Sequence, residues 1–493
     1  MVLQRDYKFW FCPGSVDLYS DKEVQIVTEH VQKMVAALNA SDDIPYEIVQ
    51  KPTLLTSTDI CQVFNDANND PGCAGVIAWM HMFSPAKSWL RGLKELRKPL
   101  LHLATQFNEE IPYDTLNMDF ININQSAHGD REFAYMLARM HKTHKTVFGY
   151  WQDPDVRQGI GRWMRTAVGV IESQSLRIVR FTDNMLNVAD TEGDKIDAQI
   201  RIGWQCDYHP MAELEKCIDD VTPEEIRALT DEYYATYKIM LNGRDPQEFR
   251  EHVEKQAAIE IGTERYLVEN NYQVVVDHFG DLGGLKQLPG LAMQRLMAKG
   301  YGFGPEGDWK TPALFRVEAL MCAGMKDARG MSFFEDYTYN LVPGQEGVLE
   351  THMLEVCPLI ADGQGVGIRV EPLSLGGLED PARLVFTAKE GKAVAASLVD
   401  MGDNFRLVIN DVNVKKTVRP MPNLPLGTAF WTPEPDFRTG VEAWLMAGGC
   451  HHNVMTYDLD ADQLADWADM VGIESVIIDK NTNLRALKKQ LGQ

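Results

Sequence analysis

Apolar runs of strand length alternate with amphipathic helical stretches through the first hundred residues, and this alternation constrains the fold more than any other feature of the chain. The runs are YKFWFC (7–12), YEIVQ (46–50), CAGVIAWM (73–80) and PLLHLATQ (99–106). Between the first two, Val24, Val27, Val31, Met34 and Leu38 follow the i, i+3, i+4, i+7 spacing of a helix laid on a sheet. PAKSWLRGLKEL (85–96) repeats the theme. Strand, helix, strand in this order predicts a parallel sheet with helices on its faces. Ligands of such sheets gather beyond the carboxyl ends of the strands, here Pro13–Tyr19, His81–Ala86 and Thr105–Glu110.

A second α/β region is expected from 176, with LRIVRFTD, AQIRIGW and YQVVVDHF as strands and helices through 223–270. From about 333 the texture changes to β runs (FFEDYTYNL, HMLEV, GIRVEPL, ARLVFTA, AVAASLVD, FRLVINDV) separated by turns such as KEGK and MGDN. The helix DADQLADWADMVG and the strand SVIID close the chain. The fold class is therefore α/β: two parallel-sheet, Rossmann-like domains (1–175 and 176–328) and a carboxyl-terminal antiparallel, β-barrel-like domain (329–493). A length of 493 residues suits several cores, since single cores stop growing well before this size.

Composition narrows the partners. A net charge of −23 without a basic run opposes wrapping of a phosphate backbone, so nucleic acid is not expected. No stretch of about 18 apolar residues is present for a membrane span, and the amino terminus turns polar before a signal-type core develops. The eight cysteines are scattered with no C-x-x-C pair, as reduced thiols would be. A soluble, cytoplasmic enzyme is the expectation.

Several segments carry residues able to do chemistry. GYGFGPEGDWKTPALF (300–315) puts Glu306 in a glycine-rich loop before a helix, with Thr311 as expected N-cap and Pro312 as first helical residue. In SFFEDYTYN, Phe333, Glu335 and Tyr337 share one strand face, and Phe334, Asp336 and Thr338 the other. An internal Glu335 requires a cation or an ion-pair partner, whereas an edge strand leaves both acids partly wet. ETHMLEVCP is read as a short strand with His352 on the face of Glu350 and Leu354, and GGCHHN sets His451 and His452 after a double-glycine turn. Two carboxylates and two imidazoles from separate segments could hold Mn²⁺ or a similar divalent ion.

At these residues the sequence resembles the L-arabinose isomerases over nearly its whole length. The likeness is carried by MHMFSPAKSWL (80–90), MDFININQSAHGDREF (118–133), TEGDKIDAQI (191–200), LKQLPGLAMQRLMAKGYGFGPEGDWKT (285–311), FFEDYTYN (333–340), HMLEVCP (352–358) and EAWLMAGGCHH (442–452). The resemblance implies an aldose-ketose isomerase of arabinose catabolism, converting L-arabinose to L-ribulose and D-galactose to D-tagatose as a side reaction. It implies a metal, Mn²⁺ or another such as Co²⁺, on Glu306, Glu335, His352 and His452, with Glu306 and Glu335 as the proton-handling pair. It also implies sugar contacts from Leu18, Phe83, Gln125, His128, Met185 and Phe279, and a homo-oligomer, hexamer or tetramer, with the active site at a subunit interface. The chain departs from the family in the first sugar-contact segment, Gly14-Ser15-Val16-Asp17-Leu18-Tyr19, where Val16 stands in place of a polar residue. Loss of one hydroxyl contact can shift substrate preference by orders of magnitude. An isomerase or epimerase of another sugar, or a non-catalytic sugar-binding protein, is thus the alternative reading.

Overall fold

The first five strands, β1 (Lys8–Pro13), β2 (Glu47–Gln50), β3 (Cys73–Trp79), β4 (Leu100–Ala104) and β5 (Lys145–Phe148), form one parallel sheet in the order β2-β1-β3-β4-β5. These positions come from a computed structural model, which describes residues 6–363, 365–373 and 377–493. β1 to β4 coincide with the four apolar runs, and β3 is buried along its whole length, as a central strand covered on both faces must be. The helix Asp21–Asn39 buries Val27, Val31, Met34 and Leu38 of the expected stripe and Val35 beside them, while Val24 in its first turn is only partly buried. Strand order reverses between β1 and β3, so the loops after these two strands flank the crevice where doubly wound sheets bind ligands. Those loops touch closely. A Cβ on Gly14 would come within 2.5 Å of Ser84 Oγ, which leaves glycine as the residue that fits.

A second parallel sheet contains β6 (Arg177–Arg180), β7 (Gln205–Tyr208), β9 (Val274–Val276) and β10 (Gly302–Gly304), in the order β10-β9-β6-β7. The two-residue strand β8 (Lys238–Ile239) leaves this region to pair with the third sheet. One expected strand is absent: AQIRIGW contributes the end of a helix, Lys195–Arg201. Its period-two alternation is real, but Asp194 caps the amides of Ile196 and Asp197 and starts a helix that local pattern alone did not disclose. Ile196 and Ile200 are exposed while Ile202 and Trp204 are buried.

The remaining strands are β11 (Met331–Asn340), β12 (Gly347–Thr351), β13 (Gly367–Val370), β14 (Ala382–Thr387), β15 (Gly391–Asp400), β16 (Phe405–Val414), β17 (Gly427–Pro433), β18 (His452–Thr456) and β19 (Glu474–Ile478). Antiparallel pairing runs β16-β15-β18-β11-β12-β17, and β17 pairs back onto β16, closing a barrel. Closure satisfies the backbone groups that open edges would leave unpaired. HMLEV is not a strand, because β12 ends at Thr351 and leaves His352 just beyond it. The chain divides into two compact units, one ending at Ile171 and one from Glu172 to Gln493, so the second and third sheets share a unit.

The helix Lys310–Met321 is buried at every position, in keeping with its weak amphipathicity. It begins earlier than expected: Asp308 Oδ1 accepts from the amides of Lys310 and Thr311, so the cap comes from Asp308 and not Thr311. Pro312 then sits within the first turn, where a missing N–H costs nothing.

Glu318 in this helix has neither carboxyl oxygen hydrogen-bonded, and burial alone raises its pKa well above the ordinary value of 4.5. The native state therefore keeps a proton that the unfolded chain releases. Its contribution to stability is greatest below the unfolded pKa and declines with rising pH by up to about 1.4 kcal/mol per unit until the folded pKa is reached. Glu318→Met, which removes an unsatisfied buried polar group, is expected to stabilise the protein by about 1–3 kcal/mol at pH 8 and by less at pH 5. Urea unfolding at the two pH values checks this, and an equal effect at both would contradict it.

Candidate metal centre

Glu306 leaves the carboxyl end of β10 in a conformation that few side chains adopt, with φ of 59°, followed by Gly307 with φ of 77°. Two backbone bonds hold this loop: Met185 N–H donates to Glu306 O at 2.9 Å and Gly307 N–H to Asp277 O at 2.8 Å. A Cβ on Gly307 would come within 2.4 Å of Asn184 Cα, so the neighbouring loop closes only over glycine. The Glu306 carboxylate is thereby carried to the strand ends of the second sheet and is 13% exposed.

The barrel supplies the other groups. β11 pairs with β18 so that Glu335 lies opposite His452, and with β12 so that Glu335 lies opposite Thr351, one residue before His352. His352 Nε2 is 3.7 Å from Glu335 Oε2. Phe333, on the same strand, packs edge-on against both imidazoles, at 5.3 Å from His352 and 4.9 Å from His452. One donor atom each from Glu335, His352 and His452 falls within 4.8 Å of the others, and the same holds for Glu306, His451 and His452. Glu335, His352 and His452 thus converge, and Glu306 converges on the same His452 together with His451.

Each imidazole is aimed by a carboxylate behind it. His352 Nδ1 bonds Glu355 Oε2 at 2.6 Å, and His452 Nδ1 bonds Asp308 Oδ2 at 3.0 Å. With Nδ1–H donating, Nε2 carries a lone pair, and both Nε2 atoms are buried without a hydrogen-bond partner. Two buried lone pairs beside two carboxylates are costly alone and well matched to a divalent cation. Burial opposes charge on Asp308, yet Lys310 and His452 hold its carboxyl well below the usual range. Burial opposes ionisation of Glu306 as well, and His451 and His452 outweigh it. The donor set therefore fits a hard or borderline divalent ion such as Mn²⁺.

Further groups surround this set. His451 Nδ1 bonds Asp190 Oδ2 at 2.6 Å and its Nε2 lies 3.5 Å from Glu306 Oε2. Against the cost of burial, these two acids raise its pKa to about 10. Asp336, on the opposite face of β11 from Glu335, faces the barrel interior with Asn453 and Glu350. Burial raises the pKa of Asp336 to about 6 and that of Glu350 well above its usual value, so the pair shares a proton. Sequence reasoning passed over Asp308, Glu355 and Asp190. The first two are near in sequence, two residues after Glu306 and three after His352, and the need of a metal-bound imidazole for a backing acid was a usable signal. Asp190 had none, being 261 positions from His451.

Of the expected sugar contacts, Met185 and Phe279 lie in loops beyond β6 and β9, Met185 with its amide on the Glu306 carbonyl. The other four, and Val16 with them, belong to the amino-terminal unit. There Phe83 stacks on His128 at 5.3 Å, and the Gln125 amide donates to His81 O at 2.8 Å. Val16 is buried, and Leu18 is 79% exposed.

Comparison with known proteins covers the whole chain. Family models described as the L-arabinose isomerase N-terminal, central and C-terminal domains match residues 3–175, 177–324 and 330–474. The chain is 49% identical over 491 residues to the L-arabinose isomerase of Geobacillus stearothermophilus, with 100% of this chain and 98% of that protein covered. It is 48% identical to those of Clostridium beijerinckii and Shouchella clausii, with 100% of this chain and 98% and 99% of theirs covered.

Proposed function

The chain belongs to the L-arabinose isomerase family, and from that premise we propose that it is an aldose-ketose isomerase converting L-arabinose to L-ribulose, with D-galactose to D-tagatose as a second reaction. The observation that carries the chemistry is the pair of buried, unpartnered Nε2 atoms of His352 and His452 beside Glu306 and Glu335. These four residues would hold one divalent ion, Mn²⁺ or a similar metal such as Co²⁺. Bound there, the ion would polarise the oxygens on C1 and C2 of the sugar and make the C2 proton removable.

Proton movement falls to the chain. One of Glu306 and Glu335 takes the C2 proton as a base and returns it at C1, while the other carries a proton between the two oxygens, so that no proton is gained or lost overall. Asp308 and Glu355 keep the imidazoles in the tautomer that leaves Nε2 free. Phe333, fully buried against both imidazoles, keeps water from that side of them.

The sugar contacts of Leu18, Phe83, Gln125 and His128 would come from a neighbouring copy in a hexamer or tetramer, the exposed Leu18 being suited to such a role. A cytoplasmic location accords with the reduced cysteines and with the finding that no helix among the described residues is long and apolar enough to cross a membrane. Val16 favours a second reading, in which the metal chemistry is kept and another aldose is preferred, because a buried aliphatic side chain offers a sugar hydroxyl no partner.

Assays of ketose formation with Mn²⁺ on L-arabinose, D-galactose, L-fucose and other aldoses separate the readings. Turnover is expected on L-arabinose, a stronger activity on another sugar would favour the second reading, and no turnover on any would remove both.

A further inference from the structure

Beside the metal centre lies a carboxylate that the ligand set does not use. Asp190, in the short turn Ala189–Thr191, accepts at Oδ2 from the backbone amide of His451 at 3.3 Å and bonds its Nδ1 at 2.6 Å. The far ring nitrogen, Nε2, points to Glu306 Oε2 at 3.5 Å. An acceptor that fixes one nitrogen of an imidazole also fixes where the other points, because the ring is rigid.

The turn itself is tied down. Lys310 is 1% exposed in its side chain, and its Nζ donates to the carbonyl of Asp190 at 3.0 Å and to that of Glu192. Asn184 Nδ2 donates to Thr191 O at 2.7 Å and Gly307 O at 3.3 Å, which links the turn to the residue beside Glu306. Cys450, next to His451, bonds the Asp190 carbonyl at 3.4 Å. Three side chains, from Lys310, Asn184 and Cys450, thus hold one turn in register with the Glu306 loop.

We propose that Asp190 is a positioning residue, held by Lys310 and Asn184, that keeps the His451 ring directed at Glu306 and so keeps Glu306 in place for proton transfer. The inference rests on the reading of Glu306 as a proton-handling group. His451 is not among the four assigned ligands, so losing Asp190 removes no ligand, and the loss is expected to fall on kcat more than on Mn²⁺ binding. Removal of a carboxylate that orients a metal-bound imidazole typically costs about 10–100-fold, and a loss of the same order is expected for one that orients His451.

The test uses the full-length protein and its variants Asp190→Ala and Asp190→Asn, with three readouts. For Asp190→Ala, kcat on the best aldose is expected to fall about 10–100-fold, with KM and the Mn²⁺ dissociation constant, read by electron paramagnetic resonance, each changed by less than about threefold. Asp190→Asn, whose side-chain oxygen still accepts from Nδ1–H, is expected to recover most of the lost kcat. Crystal structures of wild type and Asp190→Ala with Mn²⁺ are expected to show the His451 ring turned away from Glu306 in the variant alone. An unmoved ring, an unchanged kcat, or a loss of Mn²⁺ affinity as large as the loss of kcat would each overturn the proposal. If the wild type itself turns over no aldose, the isomerase reading fails, and the two crystal structures still decide what Asp190 does to the ring.

Discussion

Glu306→Gln and Glu335→Gln are each expected to lower kcat by about 10²–10⁴-fold, the range lost when a positioned proton-transfer group is removed, while the protein folds and assembles as before. The amide keeps the shape of the side chain and one acceptor oxygen, but it cannot take up the C2 proton. Glu306 is the more exacting case, because its loop requires φ of 59° and a glycine behind it, a conformation that glutamine tolerates as well as glutamate does. Glu335, opposite His452 in the β11–β18 pairing, is on a strand whose register does not depend on its charge. Both variants are measured at saturating Mn²⁺, since either carboxylate is also an assigned ligand. A variant with wild-type kcat would remove that residue from the mechanism.

Metal removal is the second large effect expected. Treatment with EDTA should abolish turnover and Mn²⁺ should restore it. Because the folded site binds and the unfolded chain does not, Mn²⁺ at a hundredfold excess over its dissociation constant should add about 2.7 kcal/mol to stability, seen as a rise in Tm. His452→Ala removes the residue shared by both groups of converging donors and leaves Asp308 Oδ2 without its imidazole partner. It should lose the Mn²⁺-dependent rise in Tm together with activity. Undiminished turnover in EDTA, or a full Mn²⁺ response in His452→Ala, would contradict the assignment.

Much of the architecture was legible because it is written in local periodicity. The alternation in the first hundred residues marked four strands and the helix between the first two, and the change in texture after 333 marked the barrel. Reading failed where a nearby side chain overruled the pattern. Asp194 capped a helix over residues with strand-like alternation, and Asp308 moved a helix start to Lys310, two residues ahead of Pro312. β12 stopped at Thr351, which removed His352 from the face shared with Glu350.

The sequence by itself determined the fold class and the family and named four residues as candidates for a metal, since motif and periodicity are properties of contiguous segments. Only the tertiary structure decided that those residues meet. Glu335 faces His452 through the register of β11 on β18, and Glu306 reaches them from the end of a different sheet. It also decided what stands behind them: Glu355 and Asp308 free the two Nε2 atoms, and Asp190 directs His451 from 261 positions away. Cross-strand register and the packing of one loop on another are set by contacts between distant segments, and such contacts leave no period in the sequence from which to read them.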